Sequence, residues 1–115
     1  MNKATAALAA AALLLAFASP SFAGEKLADM HVKSGLKCES CHGPDMKDPK
    51  IPDTAVCTGC HAVDALAEKT KDVKPANPHN SPHYGKELDC ANCHLLHQES
   101  ENYCDQCHQF GFKVP

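Results

Sequence analysis

The stretch Cys90-Ala-Asn-Cys-His-Leu-Leu-His97 decides how this chain folds. Two cysteines with two residues between them are followed at once by a histidine. C-x-x-C-H is the attachment signature of c-type haem. The chemistry needs that spacing. Two thiols add to the two vinyl groups along one porphyrin edge, and the adjoining imidazole comes under the iron as proximal ligand. The same signature stands at Cys38-Glu-Ser-Cys-His42, Cys57-Thr-Gly-Cys-His61 and Cys104-Asp-Gln-Cys-His108, so four copies use all eight cysteines of the 115-residue chain.

Other uses of paired cysteines fit less well. A disulfide framework suits a small exported chain with eight cysteines, but it does not explain a histidine after every pair. Zinc sites usually combine two C-x-x-C units or hold the histidines apart from the cysteines. A histidine touching the second cysteine is awkward for one tetrahedral ion. A thioredoxin-like redox motif needs one copy in a βαβ setting.

The histidine count carries a second argument. The chain holds eight: the four that complete the motifs, and His31, His79, His83 and His97. Four haem irons with two axial imidazoles each require eight. The expected metal ligands are therefore His42, His61, His94 and His108 on the proximal side, with His31, His79, His83 and His97 on the distal side. His97 follows His94 by three residues, so on a helical turn both point to one side. Trans ligands approach an iron from opposite faces, so His97 is expected to serve a neighbouring haem and draw two haems together. Methionine is the rival axial ligand. Met30 reads as packing on a helix face, and Met46 lies in a polar, proline-flanked loop.

Outside the motifs the composition is poor in large side chains. Residues 1–23 have a basic start at Lys3, the apolar run AALAAAALLLAFA and the small-x-small ending Ser21-Phe22-Ala23. That is the pattern of a secretory signal peptide cleaved after about Ala23. Residues 24–115 then hold six Leu, one Ile, five Val and two Phe, and no Trp. So few large hydrophobes cannot build a core for a chain of this size, and disulfides, metals or a large prosthetic group must fill the interior. An enzyme domain with a deep apolar pocket of its own side chains is excluded. The chain has no Arg, and its formal charge of −3 becomes −4 without Lys3. No basic run suits nucleic acid.

The expected fold class is mostly irregular with short α-helices, the haem groups forming the core. Leu27, Met30 and His31 share a face at helical spacing, and Val63, Leu66, Ala67 and Thr70 share another. Pro75, Pro78 and Pro82 make the segment that carries His79 and His83 an extended, stiff loop. The motif starts lie at unequal intervals, so this is not a solenoid repeat.

Met30-His-Val32, the four motifs in their order, the proline and histidine loop and Cys-Ala-Asn-Cys-His-Leu-Leu-His97 together resemble the small tetrahaem cytochromes c. The nearest likeness is to the tetrahaem N-terminal domain of flavocytochrome c3 fumarate reductases, and it covers residues 24–115. It differs from the cytochromes c3 of sulfate reducers, which typically include C-x4-C-H and adjacent histidines. The resemblance implies that His83 partners the second haem, at His61. The other pairings stay open. In the flavocytochromes a flavin domain follows the fourth haem. This sequence ends at Phe110-Gly-Phe-Lys-Val-Pro115 and holds no Gly-rich dinucleotide fingerprint, so fumarate reduction is not expected of it.

The expected function is electron transfer in the periplasm by four covalently attached, low-potential, bis-histidine c-type haems. Bis-histidine iron offers no open position to a substrate, so a carrier is expected and not an enzyme. The expected partners are a membrane quinol-oxidising cytochrome and a periplasmic reductase, such as a separate flavoprotein, or another multihaem cytochrome. Neither nucleic acid nor stable membrane insertion is expected. The alternative is a cytochrome subunit or enzyme with one open iron reducing a small substrate. A distal histidine without a partner would mark it.

Overall fold

The structure is a computed structural model that describes residues 24–115. The signal peptide expected at 1–23 lies outside the described residues. Among the described residues, four short helices and two 3-10 turns are joined by irregular chain. They are α1 (Leu27–Lys33), α2 (Glu39–His42), α3 (Thr54–Thr58) and α4 (Val63–Lys69), then the 3-10 turns η1 (Cys90–Asn92) and η2 (Tyr103–Gln106). Among the described residues there is no strand, only one antiparallel bridge between Ser81 and Gly85. The mostly irregular fold with short helices is thus the one observed. No helix among the described residues is long and apolar enough to cross a membrane.

The helices are too short to stand alone, since nucleating a turn costs more than a few bonds return. Each is held from outside. Asp53 caps α3 by accepting from the Val56 N–H, and Asn102 caps η2 by accepting from the Cys104 N–H. The N-terminus of α1 has no side-chain cap. Instead the Ala28 N–H donates to the Leu96 carbonyl at 2.9 Å, which ties α1 to the segment between His94 and His97. Helix α3 packs on η1, where the Thr54 hydroxyl bonds the Asp89 carboxylate.

Polypeptide packing against polypeptide is sparse. Among the described residues one side chain is buried, that of Ala67 on α4, at 5% exposure. Burial of apolar side chains, the ordinary source of stability, is therefore nearly missing among the described residues. This agrees with the composition: something other than Leu, Val and Phe must hold the elements together.

The loop between α4 and η1 is not extended. It runs through turns and bends. Asn77 accepts from the His79 N–H at 2.9 Å and donates to the Ala67 carbonyl at 2.7 Å, folding the loop back on α4. Ser81 and Gly85 then exchange both backbone bonds, at 3.0 and 2.8 Å. Gly85 has a φ of +58°, a left-handed value that glycine adopts at little cost. Side-chain bonding by Asn77 and that bridge override the extended bias of the prolines.

Candidate functional site: four motif turns and four histidine pairs

All four C-x-x-C-H motifs take one backbone shape. The histidine N–H donates to the carbonyl of the first cysteine: His42 to Cys38 at 3.0 Å, His61 to Cys57 at 2.9 Å, His94 to Cys90 and His108 to Cys104 at 2.8 Å. In each the second cysteine's N–H also donates to the first cysteine's carbonyl, at 3.1–3.2 Å. Every motif is one helical turn. A turn sets positions i, i+3 and i+4 on one face, so both thiols and the imidazole of each motif share a side. None of the eight cysteines is joined to another in a disulfide.

The other four histidines each stand opposite one of these turns. His42 faces His97 with ring centroids 5.9 Å apart and planes 18° from parallel. His79 faces His94 at 6.2 Å and 6°. His83 faces His108 at 6.0 Å and 19°. His31 faces His61 at 6.0 Å with planes crossed at 89°. A metal–imidazole bond is about 2 Å and the ring centre lies about 1 Å beyond, so trans imidazoles on one metal stand about 6 Å apart. All four pairs have that separation, and the residues fit the group their motifs imply.

The pairing brings out what sequence spacing left open. His94 and His97 stand in different pairs, although no helix spans them: η1 ends at Asn92. His83 does not stand against His61, as the resemblance implied. It sits at the tip of the Ser81–Gly85 loop, which lies against the fourth motif: the Tyr84 and Tyr103 hydroxyls are 3.5 Å apart there. His61 has His31 instead. Met30 and Met46 belong to no pair. Both are exposed, at 43%.

Backbone and hydroxyl groups fix the tautomer of three rings. The His31 Nδ1–H donates to the Leu27 carbonyl at 2.7 Å, and the His42 Nδ1–H donates to the Lys50 carbonyl at 2.7 Å. A carbonyl only accepts, so Nδ1 carries the proton and the Nε2 lone pair is free for a metal. The Lys50 N–H returns a bond to the His42 backbone carbonyl at 2.9 Å, so the two residues are tied twice. At His79 the partner is the Thr70 hydroxyl, 3.1 Å from Nδ1. That hydroxyl also meets the Leu66 carbonyl at 2.8 Å and Asn77 Oδ1 at 2.7 Å. It has one hydrogen and those two atoms are acceptors, so His79 must be the donor. Burial, with His94 nearby adding to it, pushes the His79 imidazole below its ordinary range, favouring the neutral form that ligates. Thr70 and Asn77 were missed as supporting residues in the sequence. The signal was there, in a threonine at the end of a helix and an Asn two residues before a histidine.

Neighbouring motifs also touch. Cys57 lies beside Cys90, and burial with that neighbour raises the Cys57 thiol. Burial likewise raises Cys104, with Cys93 adding to it.

Repeated turns that each present two thiols and an imidazole, with a second imidazole opposite, define a multihaem c-type cytochrome. The family model described as cytochrome c3 matches residues 30–109. The chain belongs to that family and binds c-type haem covalently. The family thus takes in chains whose motifs are all C-x-x-C-H. Among curated proteins the chain is 43% identical over 81 residues to the acrylate reductase cytochrome subunit of Shewanella woodyi, covering 68% of each. It is 36% identical over 107 residues to a probable fumarate reductase, Ifc3, of Shewanella frigidimarina, covering 89% of this chain and 17% of that protein. It is 29% identical over 114 residues to the cytochrome c-type protein Cgr1 of Eggerthella lenta, covering 71% of this chain and 51% of that one. No solved structure matches the chain. The chain is thus a cytochrome c3-like electron carrier or reductase cytochrome subunit.

Proposed function

We propose that the protein is a periplasmic carrier of electrons with four covalently attached bis-histidine haems. The four histidine pairs, each about 6 Å across, carry this reading. The thiols of Cys38 and Cys41, Cys57 and Cys60, Cys90 and Cys93, and Cys104 and Cys107 hold the groups. His42 with His97, His61 with His31, His94 with His79 and His108 with His83 would hold the irons.

Bound c-type haem supplies one-electron iron chemistry at a potential set by its axial ligands and surroundings. The chain's own residues do the rest. Leu27, Lys50 and Thr70 hold Nε2 of their histidines ready for the iron. Thr54 and Asp89 clamp the second motif to the third, and the segment His94 to His97 joins the first to the third. Clamped neighbours favour passage of electrons within the protein. Every histidine is used, so no iron keeps an open position for a small substrate. His79, the histidine whose idleness would have favoured an enzyme, stands opposite His94.

The expected donor is a membrane quinol-oxidising cytochrome. The expected acceptor is a reductase, such as a separate flavoprotein, or another multihaem cytochrome. The name of the S. woodyi relative, a cytochrome subunit of a reductase, supports an acceptor of this kind. The net charge of −4 in residues 24–115, with haem propionates added, favours low potentials and a basic contact surface on the partner. Stopped-flow mixing of the reduced protein with purified candidate acceptors tests the function. Reoxidation that accelerates with acceptor concentration and slows with salt is expected. Direct, rapid reduction of a small substrate by the protein alone would overturn it.

A further inference from the structure

Three of the four histidine pairs are nearly parallel, at 18°, 6° and 19°, and the fourth is crossed at 89°. The odd pair is His31 with His61. Its geometry is built in. The His31 Nδ1–H is fixed on the Leu27 carbonyl one turn back along α1, so the ring cannot rotate freely about its bond to the metal. Helix α1 is fixed in turn by the Ala28 N–H on the Leu96 carbonyl.

Ring orientation matters to a low-spin ferric ion. Each imidazole donates π density into the iron d orbital that lies perpendicular to its plane. Parallel rings raise the same orbital, which separates it from its partner and gives the electron hole a favoured place. Crossed rings raise both orbitals alike and leave them nearly equal in energy. The ferric state then loses that stabilisation, and its magnetic response becomes highly anisotropic.

We propose that the haem held by Cys57 and Cys60 is electronically distinct from the other three, because His31 crosses His61. It has a highly anisotropic low-spin signal where the others have rhombic ones. It also takes up an electron ahead of them and serves as the resting place for a single reducing equivalent. The inference rests on the bis-histidine reading above.

Electron paramagnetic resonance of the fully oxidised holoprotein, with spin integration, tests it. One quarter of the ferric spins is expected in a highly anisotropic low-spin signal and three quarters in rhombic low-spin signals. His31→Ala is expected to abolish the anisotropic signal and put a high-spin one in its place. His97→Ala, as the control, retains it. In a redox titration followed at the same resonance, the anisotropic signal is expected to fade before the rhombic ones. Four rhombic signals would overturn the inference and leave the bis-histidine reading standing. An anisotropic signal that survives His31→Ala would also overturn it, as would one that fades after the others. A high-spin signal in the unaltered protein would overturn the bis-histidine reading and this inference with it.

Discussion

The His97 ring lies parallel to that of His42, 5.9 Å away centre to centre, while His94, three residues before it, faces His79. One short segment thus reaches two of the proposed haem sites. That contact is not made for packing, because the described residues have almost no core to pack. It makes sense as ligation of two adjacent irons.

His97→Ala is therefore expected to open one iron at the first motif and leave the pair at His94 intact. About a quarter of the ferrous haem should bind carbon monoxide, against almost none in the unaltered protein. Optical titration with the gas measures this. Opening of two irons, or of none, would contradict the separate roles of His94 and His97.

His83→Ala is expected to open the fourth site and not the second. The open ferrous iron is paramagnetic, whereas six-coordinate ferrous iron is not, so nearby resonances of the reduced protein should broaden. Phe110 stacks on His108 at 4.5 Å between centroids, and Tyr103 lies next to Cys104. Their proton signals should broaden while those of Val56, beside Cys57, stay sharp. Broadening of Val56 instead would restore the pairing with His61 that the family resemblance implied.

Thr70→Val removes the group that receives the His79 Nδ1–H. Leaving a partly buried donor unpaired costs about 1–3 kcal/mol. The change should also make the imidazole a weaker donor to iron and raise the potential of that haem. Thr70→Ser should restore both. Thermal melting and a redox titration of the three proteins check the two effects. Equal melting temperatures and potentials would mean that the contact at His79 is incidental.

Lys86 bonds the exposed Asp64 carboxylate at 2.6 Å, tying α4 to the loop that carries His83. The hydrogen bond and charge of Lys86 hold the Asp64 carboxyl below its ordinary range. A carboxyl depressed by folding stabilises the fold above its unfolded pKa, and that contribution is lost as pH falls through the folded value. Lys86→Ala should therefore melt slightly lower than the unaltered protein at neutral pH. The gap should close on acidification below the ordinary carboxylate range, about pH 4. An exposed pair is screened by salt, so the gap should also shrink at high ionic strength. A difference that persists unchanged in acid would assign the effect to something other than this pair.

Much of the site was legible in the sequence because its chemistry is local. Four C-x-x-C-H turns need only i, i+3 and i+4 neighbours, and eight histidines match four irons without any knowledge of the path between them. Helices α1 and α4 followed from apolar spacing and formed where expected. The pairing is a different kind of fact. His31 lies close in sequence to the first motif yet faces the second, on a helix that one backbone bond from Ala28 ties to Leu96. His83, which meets the fourth motif, sits in a loop closed by a bridge between Ser81 and Gly85. Neither bond leaves a periodic trace. The prolines misled for a related reason: they restrict the backbone one residue at a time, whereas Asn77 bonds across ten residues to the Ala67 carbonyl and bends the loop.

The central claim is that all eight histidines serve four irons. Intact mass of the exported protein, read together with the spin state of the same sample, tests it most directly. The account predicts the mass of residues 24–115 plus four haems, wholly low-spin spectra when oxidised and reduced, and no binding of carbon monoxide. Fewer than four covalent haems, or a high-spin fraction that binds the gas, would contradict it.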